Sequence, residues 1–168
     1  NLKLTSPSSS RRIPGLVPGY LQPGNPFGLP ECSMVEPGLL AIHPGTEWTG
    51  GGLVTNPQDL VRWGMALFYD RVLGDAMTTA MLTNTSAFST GNGTGHYGLG
   101  VFIFDTPLGA SYGHGGWYPG YNSQLEYFPS RNIAIAIQVN RDWDNPRQGY
   151  IQALAQPVIR ALAMAEAP

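Results

Sequence analysis

One cysteine, Cys32, stands in a chain of 168 residues. An intrachain disulfide and a cysteine-based zinc site are therefore excluded. Lysine is equally scarce, with Lys3 the only one, so no Gly-Lys-Ser/Thr phosphate loop exists, and no Gly-x-Ser-x-Gly elbow is found either. Charged residues make up 12% of the chain, well under the usual quarter or so. Nine Lys and Arg against eleven Asp and Glu give a net charge of −2. That excludes a nucleic-acid binder driven by bulk charge, because counterion release needs a basic surface. No run approaches the roughly 18 apolar residues of a membrane-spanning helix. The three histidines, His43, His96 and His114, are scattered without ligand spacing, so neither a metal site nor a cofactor is expected.

Glycine and proline are abundant, at 22 and 15 residues. That is turn-rich but short of a disordered composition. Hydrophobic residues reach 42% and aromatics 11%, enough for a packed core in a chain the length of one domain. The chain starts at Asn1 without methionine or a leader, which suggests processing or a piece of something longer.

Residues 1–50 carry little periodicity, with Pro at 7, 14, 18, 23, 26, 30, 37 and 44. Proline fixes φ and removes a donor, so no long helix or central strand fits here. The segment reads as an extended arm laid over a larger body. Residues 51–96 read as a helical segment and a loop. Asn56 can cap a helix, Pro57 suits its first position and Asp59 its first turn. That helix should run to about Tyr69–Val72 and stop near Gly74. A short second helix is expected over Ala76–Leu82, then a polar, glycine-rich loop over 84–96. Residues 97–168 read as a sheet and a closing helix. Strands are expected at Leu99–Phe104, Ala110–Trp117, Tyr121–Phe128 and Ile133–Val139, the last buried on both faces. The short turns at Pro119-Gly120 and Pro129–Asn132 demand antiparallel pairing. Gln148–Ala165 reads as an amphipathic helix that Pro157 would kink or interrupt. The fold class is α+β, an antiparallel sheet flanked by helices.

The segment most suggestive of chemistry is Tyr112-Gly113-His114-Gly115-Gly116-Trp117. Glycine inside a strand weakens it and often marks close approach of a ligand or another backbone. A bulge with a surface histidine would give the same pattern, and the residues alone leave both readings open.

Several segments together resemble the β-lactamase-like serine hydrolases, the class C β-lactamase, D,D-peptidase and esterase branch. Gly51-Gly52-Leu53-Val54-Thr55-Asn56-Pro57-Gln58-Asp59-Leu60 is similar to that family's Gly-Gly-Leu-x-Ser-Thr-x-x-Asp-Leu segment. Tyr97-Gly98-Leu99-Gly100 resembles its Tyr-Gly-Leu-Gly. Tyr112–Gly116 resembles its third active-site motif, Lys-Thr-Gly or His-x-Gly. Gly120-Tyr121, the turn Pro129-Ser130-Arg131-Asn132, and Ile13–Leu16 with Gly19-Tyr20 continue the match in order. The resemblance implies the C-terminal part of the serine β-lactamase/penicillin-binding-protein fold, so 1–168 would be a single partial domain. The family's Ser-x-x-Lys and Tyr-x-Asn motifs precede the Ile13–Tyr20 segment, and with Lys3 the only lysine, no Ser-x-x-Lys exists here.

The resemblance implies further roles. His114 takes the place of the motif lysine or histidine. Gly116 lets the strand approach a substrate, and the Trp117 N–H would be one oxyanion donor. Gly115, Phe102 and Tyr118 would bind substrate. Gly115 lacks the hydroxyl, and Phe102 the cation, with which relatives hold a carboxylate, so a small neutral ester or amide is implied. The partner implied is the N-terminal half of the same enzyme, and the chain alone would be inactive. Many relatives are periplasmic or secreted, and cytoplasmic ones exist. The strand Ala110–Trp117 would lie at an exposed or partner-covered edge. The alternative is a non-catalytic binding or scaffold domain that keeps the fold.

Overall fold

The computed structural model describes residues 2–90, 93–142 and 150–165. Its centre is a six-stranded antiparallel sheet of β5 (Ser86–Thr90), β6 (Gly93–Tyr97), β7 (Phe102–Thr106), β8 (Gly109–Tyr118), β9 (Tyr121–Phe128) and β10 (Ile133–Val139). Spatial order follows sequence order, β10-β9-β8-β7-β6-β5, as short hairpin connections require. Gly120 (φ 86°) and Asn132 (φ 52°) supply the left-handed backbone of the last two turns.

Alternate residues of the sheet face different helices. On one face Phe68 stacks on Tyr127 at 5.6 Å, beside Leu67, Met81 and Val101. Phe68 and Leu67 come from Met65–Tyr69, the π-helical continuation of α1 (Pro57–Gly64), and Met81 from α2 (Asp75–Thr83), while Val101 closes the turn before β7. On the other face Leu108 and Phe128 pack with Ala155 and Ile159 of α3 (Tyr150–Met164). β10 has residues in both clusters, which accounts for its nearly continuous apolar sequence. Among the described residues no helix is long and apolar enough to cross a membrane.

Three expectations need correction. Residues 84–96 are not a loop: β5 and β6 form a hairpin that extends the sheet. Its polar sequence hides the fact that Phe88 packs edge-on against Phe102 and Phe104 of β7. The strand after Tyr97 begins at Phe102 rather than Leu99, because Gly98–Val101 makes a tight turn pinned to Met81. Of the kink or interruption expected at Pro157, the interruption does not occur; burial of Ala155 and Ile159 on either side of it holds the helix together. Gln148, the expected start of that helix, lies outside the described residues.

The arm has little regular structure. β1 (Ser6–Pro7) pairs with β4 (Leu53–Val54), and β2 (Met34–Glu36) with β3 (Leu39–Leu40). Its start is clamped by the family-like Asp59. One carboxylate oxygen accepts from the Lys3 and Leu4 N–H groups at 2.8 and 2.6 Å and from the Thr5 hydroxyl at 3.0 Å. The other oxygen takes Arg62 at 2.7 Å. Led by the Leu4 bond, these donors outweigh the cost of burial and hold the Asp59 carboxyl down at about 2. Further on, Tyr20 N–H donates to the Asn140 carbonyl, and Asp142 accepts from Gly120 and Gln22. Gly19 and Gly120 touch there; a Cβ on Gly19 would stand 2.6 Å from the Gly120 oxygen.

Candidate active site

Strand β8 is interior for half its length only. β7 meets it from Gly109 to Gly113, where Phe102 is the last partner. From His114 to Tyr118 it pairs with β9 alone among the described residues. The expected edge is therefore confined to His114–Tyr118, because β7 starts too late to cover them.

The hairpin turn fixes which way that edge faces. Tyr118 and Tyr121 flank the two-residue turn Pro119-Gly120. Such a closing pair exchanges both backbone hydrogen bonds, so Tyr118 directs its N–H and C=O toward β9. Alternation then turns the N–H and C=O of Gly113, Gly115 and Trp117 the other way. At Gly113 they face β7; at Gly115 and Trp117 they face the open side.

His114 stands where the edge opens. Its Nε2 lies 3.0 Å from the Tyr97 hydroxyl and its Nδ1 lies 2.5 Å from the Gly115 carbonyl oxygen. The Phe102 ring is wedged beside both, with centroids 4.9 Å from His114 and 4.6 Å from Tyr97. Phe102 thus reaches the site as a wall of the imidazole.

Beyond Gly115 and Gly116, Trp117 is 37% exposed and packs against Phe27 of the arm at 5.5 Å. Phe27 is presented by a loop knitted by Asn25, whose side chain bonds the Phe27 and Leu29 N–H groups and the Leu29 carbonyl. The Tyr118 hydroxyl donates to the Ile42 carbonyl at 3.0 Å, and burial pushes it up to about 12. Gly116, Trp117 and Tyr118 line a cavity of about 810 Å³ between the arm and the ends of β8–β10. Glu47 is a lining residue, and among the described residues no Lys, Arg or His lines it.

The structure thus brings His114, Gly115, Gly116, Trp117, Tyr118 and Phe102 together along one strand end. His43 and His96 lie elsewhere: His43 caps the 3-10 helix Pro44–Gly50, and His96 approaches Thr85 at 3.5 Å. Ser111, the nearest serine along β8, is 1% exposed, with no hydrogen-bond partner for its hydroxyl among the described residues. Sequence reading missed Tyr97 as the partner of His114. The signal was present in the Tyr that opens Tyr-Gly-Leu-Gly, a large side chain next to a tight turn.

The Beta-lactamase family model matches residues 4–157. Among solved structures, a D-amino acid amidase from Ochrobactrum anthropi SV3 superposes with TM-score 0.73 at 21% identity, over 98% of this chain and 49% of that one. A D-stereospecific amidohydrolase from Streptomyces sp. gives 0.69 at 24%, over 90% and 43%. A penicillin binding protein from Bacillus halodurans gives 0.61 at 18%, over 89% and 44%. The chain therefore spans less than half the length of each. No curated protein matches.

Proposed function

The chain belongs to the beta-lactamase family, and from that premise we propose that it is the C-terminal portion of a serine acyl hydrolase, an esterase, amidase or peptidase. In this reading it supplies the third active-site motif and one oxyanion donor. The nucleophile and its lysine come from an N-terminal part of the same enzyme, since these residues contain no Ser-x-x-Lys. The observation that carries the reading is the open edge at His114–Trp117, with the Trp117 N–H turned toward the unpaired side.

The serine hydroxyl attacks the substrate carbonyl carbon while its proton passes to the base. The carbonyl electron pair moves onto oxygen, and the oxyanion accepts from the Trp117 N–H. Collapse expels the alcohol or amine with a returned proton and leaves an acyl-enzyme, which water cleaves by the same route. One such donor is worth about 10²–10³ in rate. Gly115 and Gly116 keep Cβ atoms out of the approach path, and His114 handles a proton beside it.

Small neutral esters or amides fit best. Gly115 offers no hydroxyl, Phe102 offers no cation, and the cavity wall carries Glu47 without a basic residue. A substrate carboxylate desolvated there would be costly. The amidase and amidohydrolase names among the similar structures support amides within this class.

The test compares p-nitrophenyl ester and amide turnover by the intact protein and by residues 1–168 alone. The intact protein should be active and should lose activity when the Ser-x-x-Lys serine is replaced by Ala. The isolated chain should be inert. An intact protein without Ser-x-x-Lys, or isolated-chain turnover abolished by Ser111→Ala, would overturn the reading.

A further inference from the structure

The turn Tyr97–Gly98–Leu99–Gly100 explains three of its own residues and leaves the fourth. A Cβ on Gly98 would stand 2.1 Å from the Met81 carbonyl oxygen, and Gly100 has φ 75°. Leu99 N–H donates to that same Met81 oxygen at 3.0 Å, and Gly98 N–H to Val101 O at 2.7 Å. These bonds tie the end of β6 to α2 and fix where the Tyr97 ring stands. Nothing in the turn needs the hydroxyl, which lies 3.0 Å from His114 Nε2.

The imidazole is held at both nitrogens and along one face. Nδ1 meets the Gly115 carbonyl oxygen, which only accepts, so Nδ1 carries a proton. In the neutral ring Nε2 then has only a lone pair, and Tyr97 O–H is the donor. Phe102 blocks rotation from the side. The ring is exposed, and inside this chain both of its nitrogens are engaged. The atom facing the Nε2 lone pair is the Tyr97 oxygen.

We propose that Tyr97 is a positioning residue for His114: with the Gly115 carbonyl setting the Nδ1–H tautomer, the Tyr97 hydroxyl caps Nε2, and protons reach and leave Nε2 through it. The proposal rests on reading His114 as the third-motif residue of an acyl hydrolase. The relay balances. When the Tyr97 oxygen accepts a proton from the reacting group, its own passes to Nε2, giving imidazolium and a restored phenol. The reverse transfer returns the proton to the leaving group, and no phenolate accumulates.

Histidine ¹⁵N NMR on the intact protein reads the tautomer directly. In the wild type, neutral His114 should show a protonated Nδ1 and a bare Nε2. Tyr97→Phe keeps the ring against Phe102 and removes only the hydroxyl. It should leave the proton on Nδ1, held by the Gly115 carbonyl, and move the Nε2 ¹⁵N resonance to that of a nitrogen without a hydrogen-bond donor. It should also lower kcat by about tenfold, the kinetic equivalent of one ordinary hydrogen bond, with KM nearly unchanged. An Nε2–H tautomer in the wild type would overturn the proposal without need of any variant. So would a Tyr97→Phe protein with an unchanged Nε2 resonance and unchanged kcat. An intact protein with no acyl-transfer activity would overturn the proposed function alone, because the Nε2 resonance decides the Tyr97 assignment in either case.

Discussion

Glycines that look alike in the third motif carry different constraints. A Cβ on Gly113 would stand 1.9 Å from the Leu125 carbonyl oxygen, which is backbone and cannot step aside. A Cβ on Gly116 would meet the Ser123 hydroxyl at 2.4 Å, and one χ1 rotation removes that clash. Gly113→Ala should therefore destabilise by about 2 kcal/mol or more, read as a lower urea midpoint. Gly116→Ala should leave the midpoint nearly in place and, if the proposed hydrolase reading holds, slow acylation in the intact protein. Equal stability losses would show that both glycines serve packing alone. Beside them on β9, Glu126 is 7% exposed and accepts from Gln124 at 3.4 Å. Burial pushes its carboxyl up, and the Gln124 bond offsets this only in part. With a folded pKa above the unfolded one, the fold holds that proton more tightly. The resulting stability is present below the ordinary Glu range and is lost as pH rises through the folded pKa. Glu126→Gln should remove that loss, raising the urea midpoint at about pH 8 and leaving it unchanged at about pH 4. A lower midpoint at the higher pH would mean that the charged carboxylate is the favoured form.

At the scale of elements, the start of α1 shows local sequence and tertiary structure agreeing. The Asn56 side chain accepts from Asp59 N–H at 2.8 Å, and Pro57 takes the first helical turn. Asn56→Ala should cost about 1 kcal/mol, measured by chemical denaturation. A neutral result would mean that the arm's bonds to Asp59 hold the helix start without the cap. The four strands from Phe102 onward were legible because turns with special backbone needs separate apolar or alternating runs. Helix α2 was legible within a residue at each end. The β5–β6 hairpin was not, because Ser86–Thr90 and Gly93–Tyr97 have no apolar alternation to announce it. Their partner is strand β7, and the cross-strand ring contacts of Phe88 come only with tertiary structure. Helix α3 was legible as amphipathic, but not that it runs through a proline costing about 3 kcal/mol, which is carried by burial that no local rule weighs.

For the molecule as a whole, most of the candidate site was legible from one glycine-rich strand, and what remained hidden was relational. No spacing rule brings Tyr97 to His114 across β7, or Phe27 of the arm to Trp117. The site is also incomplete as a surface. Leu4, Val17 and Leu53 line the cavity beside Trp117, yet they are 68%, 58% and 63% exposed. Apolar walls around an open strand edge make a self-association surface. The edge is rich in glycine, so few side chains shield its backbone donors from another chain. Residues 1–168 alone should therefore associate with rising concentration in sedimentation velocity, and Leu53→Asp should weaken that association by altering the cavity wall. If an N-terminal part seats over the same wall, as the proposed function requires, the intact protein should not show this association. If the isolated chain stayed monomeric throughout, the cavity would need no covering segment, and the non-catalytic reading of the fold would gain over the hydrolase.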